Sequence, residues 1–213
     1  MRKVAPRIVL IISFISTGIF ILGSTNNFTR LTKVSVYYES LCPFSVKFIT
    51  TQLYPNYYHL KDYIQIEWIP YGWTKQSLIN DKLVFTCQHG DDECKANKYQ
   101  ACALFQNKSQ DQNMEFINCV LSNNPSNAPS VENCAKLHGF NWNAIETCSD
   151  NNEGSELLAG LGKKTHNLRP KLLLIPTVIF NDHFDKELDK RITTHFLETS
   201  CSQIPNPKPV ICL

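Results

Sequence analysis

The chain carries an odd number of cysteines, nine, at Cys42, Cys87, Cys94, Cys102, Cys119, Cys134, Cys148, Cys201 and Cys212. In an oxidising compartment such a set reads as a disulfide framework, and an odd count leaves at least one thiol with no partner in its own chain. The pairing of Cys87, Cys94, Cys102, Cys119, Cys134, Cys148, Cys201 and Cys212 is left open by the spacing. The best local guess is Cys201 with Cys212, because they bracket a tail rich in proline (Pro205, Pro207, Pro209) with little helix or sheet to hold it.

The first residues indicate the compartment. Arg2, Lys3 and Arg7 precede an apolar run from Ile8 to Leu22, and small residues Gly23, Ser24 and Thr25 follow. The run is shorter than the roughly 20 residues needed to span a bilayer. Residues 1–24 are therefore expected to be a cleaved signal peptide, with a signal anchor as the other reading. Residues 25–213 then form the mature domain, with no membrane association after cleavage. The sequons at Asn27 and Asn107 become expected glycan sites behind such a leader. Apolar residues make up 43%, enough for a packed core. A net charge of +2 with no polybasic run gives no indication of a nucleic-acid partner.

Along the chain, Lys33 to Glu39 reads as a strand, with Val34, Val36 and Tyr38 alternating against Ser35 and Tyr37. Pro43 suits the first turn of a helix. Val46, Ile49 and Leu53 continue it at helical spacing until Pro55 ends or kinks it. Ile64, Ile66 and Trp68 mark a second strand, completing a β–α–β unit expected to pair in parallel. Residues 87–168 hold six of the cysteines and read as a helical insertion, with short helices over 93–105, 114–121, 131–137, 142–148 and 156–161. The chain returns to strand at Leu172 to Phe180 around Pro176, turns at Asn181-Asp182 as a hairpin, and closes with a helix over 191–200.

Cys42 stands on the turn between the first strand and the first helix. Free N–H groups and the helix dipole at that place favour negative charge, hence the thiolate, which is the attacking species in disulfide exchange. A dithiol site would carry a second cysteine one turn on, but the run here is Cys42-Pro43-Phe44-Ser45. Ser45 can hydrogen-bond to a thiolate and cannot resolve a mixed disulfide. If the other eight cysteines pair, Cys42 is the one left free; the alternative is a structural cysteine bonded elsewhere. Pro176 on its own reads as a strand start. At that place in a thioredoxin-like fold a cis-proline lies beside the reactive thiol and turns a backbone edge toward substrate.

The run from Cys87-Gln88-His89-Gly90 through Glu93-Cys94 and Asn97 to Cys102 matches C-Q-H-G-x2-E-C-x2-N-x4-C at every specified position. It resembles the signature of the gamma-interferon-inducible lysosomal thiol reductase family. Tyr37-Tyr38-Glu39-Ser40-Leu41-Cys42-Pro43 is similar to that family's approach to its active site. Pro70-Tyr71-Gly72 and the Cys201, Cys212 pair resemble further family features, so the likeness covers about residues 33–212. The resemblance implies an α/β, thioredoxin-like fold with a disulfide-rich helical insertion. It also implies a glycoprotein that reduces protein disulfides in endolysosomes. Cys42 carries over as nucleophile. Ser45 departs from the family's second active-site cysteine.

The expected activity is thus thiol–disulfide exchange on protein disulfides through Cys42, Ser45 and Pro176, in a secreted or lysosomal setting. It needs no cofactor beyond a small-molecule thiol as reductant. The alternative is a secreted, non-catalytic binding protein on the same scaffold, with Tyr57, Tyr58, Tyr63, Tyr71 and Trp73 as candidate contact residues. A monomer is expected, with a disulfide-linked dimer through Cys42 as the other form. His89 and Glu93 beside cysteines also raise a zinc site, disfavoured because the secretory route favours disulfides.

Overall fold

The computed structural model describes residues 31–213. The expected signal peptide and the Asn27 sequon lie outside the described residues. Strand β1 (Thr32–Tyr38) is central in a three-stranded sheet ordered β2-β1-β5. It runs parallel to β2 (Ile64–Pro70), with Thr32 opposite Ile64 and Tyr38 opposite Pro70. Against β5 (Thr177–Phe180) it is antiparallel, with Tyr37 opposite Thr177.

Residues of both faces of β1 are covered. Val34, Val36 and Tyr38 join Phe48, Ile49, Leu53 and Tyr57 in the main core. Tyr37 joins Ile69, Tyr71, Leu158 and Ile179 in a second core on the other side. Burial on both faces is the normal state of a parallel strand under crossover helices.

The first helix begins at Pro43 as α1 (Pro43–Phe48), widens into a π-helical turn (Ile49–Leu53) and continues as α2 (Tyr54–Leu60). Of the two outcomes expected at Pro55, an end or a kink, the helix does not end there and is instead irregular just before it. The wider turn just ahead accommodates the residue that cannot donate an N–H. A hairpin that sequence reading missed follows β2, formed by β3 (Lys75–Ile79) and β4 (Lys82–Thr86). Its turn residues Asn80 and Asp81 both have positive φ, 48° and 58°, as a tight two-residue hairpin requires.

Helices α3 (Asp91–Phe105), α4 (Gln110–Ser122), α5 (Ala128–Leu137), α6 (Trp142–Asp150) and α7 (Asn152–His166) follow. Each is at least as long as expected, because caps extend them: Ser109 with Gln112 makes a capping box, and Asn127 and Asn141 cap α5 and α6. Disulfides tie α3 to α6 (Cys102–Cys148) and α4 to α5 (Cys119–Cys134). Cys87–Cys94 closes the loop entering α3, and Cys201–Cys212 holds the tail, the pairing guessed from its sequence.

After β5, Asn181 and Asp182 adopt positive φ, and the returning chain makes one bridge, Phe180 to His183, rather than a full strand. The expected closing helix is two helices, α8 (Lys186–Ile192) and α9 (Phe196–Gln203). Asp185 caps α8 early by accepting the Glu187 and Leu188 N–H groups. At the break, the Thr194 hydroxyl bonds to Arg191 O and His195 Nδ1, competing with the helical ladder.

Candidate functional site

Cys42 is the N-cap residue of α1, with extended backbone (φ −66°, ψ 119°) and Pro43 at the first helical position. Its carbonyl accepts the Val46 N–H at 3.0 Å, opening the helix. With the other eight cysteines paired, Cys42 is the one free cysteine of the described residues. It is 5% exposed, while Phe44, two residues on, is 73% exposed. The thiol thus sits just beneath the surface, between exposed Pro43 and half-buried Leu41.

Four consecutive N–H groups lead from β1 into Cys42, and each has a defined acceptor. Glu39 N–H donates to Ser45 Oγ at 3.3 Å. Ser40 N–H donates to Asn97 Oδ1 at 3.0 Å. Leu41 N–H donates to Glu93 Oε1 at 3.3 Å, and Cys42 N–H to Glu39 O at 3.3 Å. By its type and spacing Ser45 is able to hydrogen-bond to a thiolate at Cys42. Its buried hydroxyl instead receives the Glu39 N–H, and no hydrogen bond to Cys42 Sγ is present among the described residues.

The acceptors from α3 share one face. Glu93, Asn97 and Gln100 are spaced four and then three residues apart, so they line up along the helix. Asn97 Oδ1 also accepts the Ser40 hydroxyl at 2.5 Å, Gln100 Nε2 donates to Ser40 Oγ at 2.7 Å, and Tyr38 OH donates to Gln100 Oε1 at 2.5 Å. All three are buried. The polar positions Glu93 and Asn97 of the motif therefore hold the turn that carries Cys42.

Glu39 completes the network. Its Oε1 accepts the Trp73 N–H at 2.7 Å; its Oε2 is buried without a hydrogen-bond partner. Gly72 is required here: its φ is +56°, and a Cβ would lie 2.2 Å from Glu39 Cγ. Burial, with the nearby Glu93 charge, pushes the Glu39 carboxyl up to about 7. His89 donates its backbone N–H to Glu93 Oε2 at 3.0 Å, and its Nδ1 lies 2.7 Å from Glu93 Oε1 and 3.8 Å from Glu39 Oε2.

The zinc alternative loses its sulfur ligands, because Cys87 and Cys94 are bonded to each other. His89 Nδ1 lies against Glu93 Oε1, and with Glu39 the three side chains bring their ligand-type atoms within 4.8 Å of one another in an acid–imidazole cluster.

Pro176 is buried, and the Ile175–Pro176 bond is cis. The β1–β5 register sets it at the end of β1 from which the chain turns to Cys42. A cavity of about 330 Å³ opens beside Gly72 and Trp73, lined also by Lys75, His166, Lys171 and Leu172. Of the candidate contact aromatics, Tyr57 and Tyr71 are fully buried and belong to the cores; Tyr58 and Trp73 are exposed.

The chain is similar to known proteins. A family model described as gamma interferon inducible lysosomal thiol reductase (GILT) matches residues 33–138. GILT-like protein 1 of Drosophila melanogaster is 37% identical over 193 residues, covering 84% of this chain and 77% of that protein. A gamma-interferon-inducible lysosomal thiol reductase-like protein of Anopheles gambiae is 35% identical, covering 84% and 79%. The corresponding reductase of Carassius auratus is 29% identical, covering 84% and 71%. Among solved structures, Chlamydia trachomatis DsbA superposes with a TM-score of 0.55 at 13% identity, covering 76% of this chain and 85% of that one. The fold is thioredoxin-like, of the DsbA kind, and the chain belongs to the gamma-interferon-inducible lysosomal thiol reductase family of thiol–disulfide oxidoreductases.

Proposed function

We propose that this protein exchanges protein disulfides through Cys42 alone, as a Cys-x-x-Ser variant of its family. The Cys42 thiolate attacks one sulfur of a substrate disulfide. That S–S bond breaks, a Cys42–substrate bond forms, and the second substrate sulfur leaves as a thiolate that takes up a proton. Ser45 cannot displace the adduct. A small external thiol of the glutathione or cysteine class attacks the Cys42 sulfur and releases the substrate thiol. A second molecule of it then frees Cys42. Two external thiols are oxidised to one disulfide and one substrate disulfide is reduced to two thiols. Return attack by the substrate's own thiol gives isomerisation with no net oxidation.

The observation that carries this reading is the unpaired state of Cys42 at the start of α1, while the other eight cysteines are bonded to each other. Pro176 at the same sheet end supplies the backbone edge beside which an extended substrate segment lies, and exposed Phe44 flanks the approach. The protein works as a monomer, secreted or in the lysosome, after removal of residues 1–24. It carries a glycan on Asn107, which is exposed in the loop between α3 and α4.

The test is reduction of a protein disulfide with excess small thiol, comparing wild type with Cys42→Ser. A rate above background that disappears in the variant supports the enzyme. Equal background rates for both support the alternative, a binding protein that has kept the scaffold without turnover, which the serine at position 45 favours.

A further inference from the structure

We infer that Glu39 is a positioning residue for exchange at Cys42, holding one proton in common with Glu93 and His89 beside the turn that presents the thiol. The inference rests on the exchange reading above, and its test does not require turnover.

The turn from Glu39 to Cys42 is held almost wholly by groups outside it. Three of its four N–H groups go to side chains of Ser45, Asn97 and Glu93. Glu93 is satisfied as a carboxylate, since Oε1 receives the Leu41 N–H and faces His89 Nδ1, and Oε2 receives the His89 N–H. Glu39 is not, because one oxygen of a fully buried carboxyl has no partner. Two carboxylates excluded from water beside one imidazole do not both ionise freely, and the proton belongs to the group as a whole. The groups that face Glu39 are few. Glu93 comes from α3, His89 from the loop before it, and the β2–β3 connection contributes the uncharged Trp73 N–H. His89 is about one-third exposed and is the member through which the proton reaches solvent.

The consequence is electrostatic. With Glu39 neutral, the buried charge of the cluster is that of the Glu93 carboxylate alone, which the Leu41 and His89 N–H groups hold. When Glu39 ionises, a second buried negative charge appears on the turn whose last residue, Cys42, donates its N–H to Glu39 O, and it opposes formation of the thiolate. Glu39→Gln keeps an oxygen for the Trp73 N–H while removing that charge.

The experiment measures the rate of Cys42 alkylation by iodoacetamide in the intact folded protein from pH 4.5 to 9. Wild type should show a break near pH 7, where Glu39 ionises. In Glu39→Gln the break should vanish, with rates equal to wild type at pH 5 and about three- to tenfold higher at pH 8, the size of a like-charge effect of half to one pKa unit. Identical profiles in the two proteins would overturn the inference. Infrared difference spectra of wild type alone give a second reading. A protonated-carboxyl band that persists above pH 6 and titrates near 7 supports the shared proton, and its absence at pH 6 overturns it even if the variant does not fold. Failure of protein-disulfide reduction with the break intact would count against turnover and leave the cluster standing.

Discussion

The hydroxyl of Ser45 accepts the backbone N–H of Glu39 at 3.3 Å, so the residue one turn beyond Cys42 ties α1 back to the end of β1. A thiol at position 45 would stand one helical turn beyond Cys42, the spacing of a dithiol site, and would give up most of that bond. Ser45→Cys is expected to raise protein-disulfide reduction about tenfold or more through intramolecular resolution, at about 1 kcal/mol of stability. Turnover assays check this, together with peptide mapping for a disulfide between Cys42 and the thiol introduced at position 45. Unchanged turnover with that bond formed would argue against an intact exchange site.

Asn97 serves both the N–H and the hydroxyl of Ser40 from within the protein. Removing its side chain leaves buried donors unpaired. Asn97→Ala should lower stability by about 2–3 kcal/mol, read from urea midpoints. It should also change the alkylation rate of Cys42, since the turn loses its central tether. A loss below about 0.5 kcal/mol would show that water replaces the bond.

Glu67 on β2 carries the opposite pH signature to Glu39. Burial works against its charge, but Lys164, Lys33 and Ser35 donate to it and hold its carboxyl at about 2. A depressed carboxylate stabilises the folded state above its ordinary range, near 4.5, and that contribution is lost as pH falls toward 2. Glu67→Gln should therefore be less stable than wild type at pH 7 by about 1–2 kcal/mol after allowance for partial exposure. The difference should close on acidification to pH 2. Glu39, raised rather than lowered, should make wild type lose stability relative to Glu39→Gln as pH rises from about 4.5 to about 7. Thermal melts across pH 2 to 8 check both signs.

The Cys102–Cys148 bond joins α3 to α6 across a sequence separation of 46 residues. A loop of that size restrains the unfolded chain by about 4 kcal/mol in the loop-entropy model. Replacing both cysteines with serine should cost about that much. The shorter Cys87–Cys94 loop, with a separation of seven, should cost less. Denaturant titration of the two double variants tests the order. The reverse order would point to strain or to residual unfolded-state structure as the dominant effect.

Much of the site was legible in one dimension because its signals are local. Alternation in β1, proline after Cys42, and helical spacing beyond it place a thiol on a strand-to-helix turn whatever surrounds it. The odd cysteine count already implied one free sulfur. The β3–β4 hairpin was missed although Asn80-Asp81 offered the same turn signal as Asn181-Asp182, because the exposed strands around it lack an apolar stripe. Tyr57 and Tyr71 were weighed as contact residues because an aromatic looks the same in sequence whether it faces water or a core.

By itself, then, the sequence determined the elements on either side of Cys42, its free thiol once the others pair, and the family motif. Only the tertiary structure decided which cysteines join, that Ser45 serves the Glu39 backbone, and that Glu93, Asn97 and Gln100 grip a turn more than 50 residues earlier in the chain. The reason is physical. Strand and turn propensities act over a few residues, whereas the burial that raises Glu39 and the hydrogen bonds that orient Cys42 exist only once α3 packs against the end of β1.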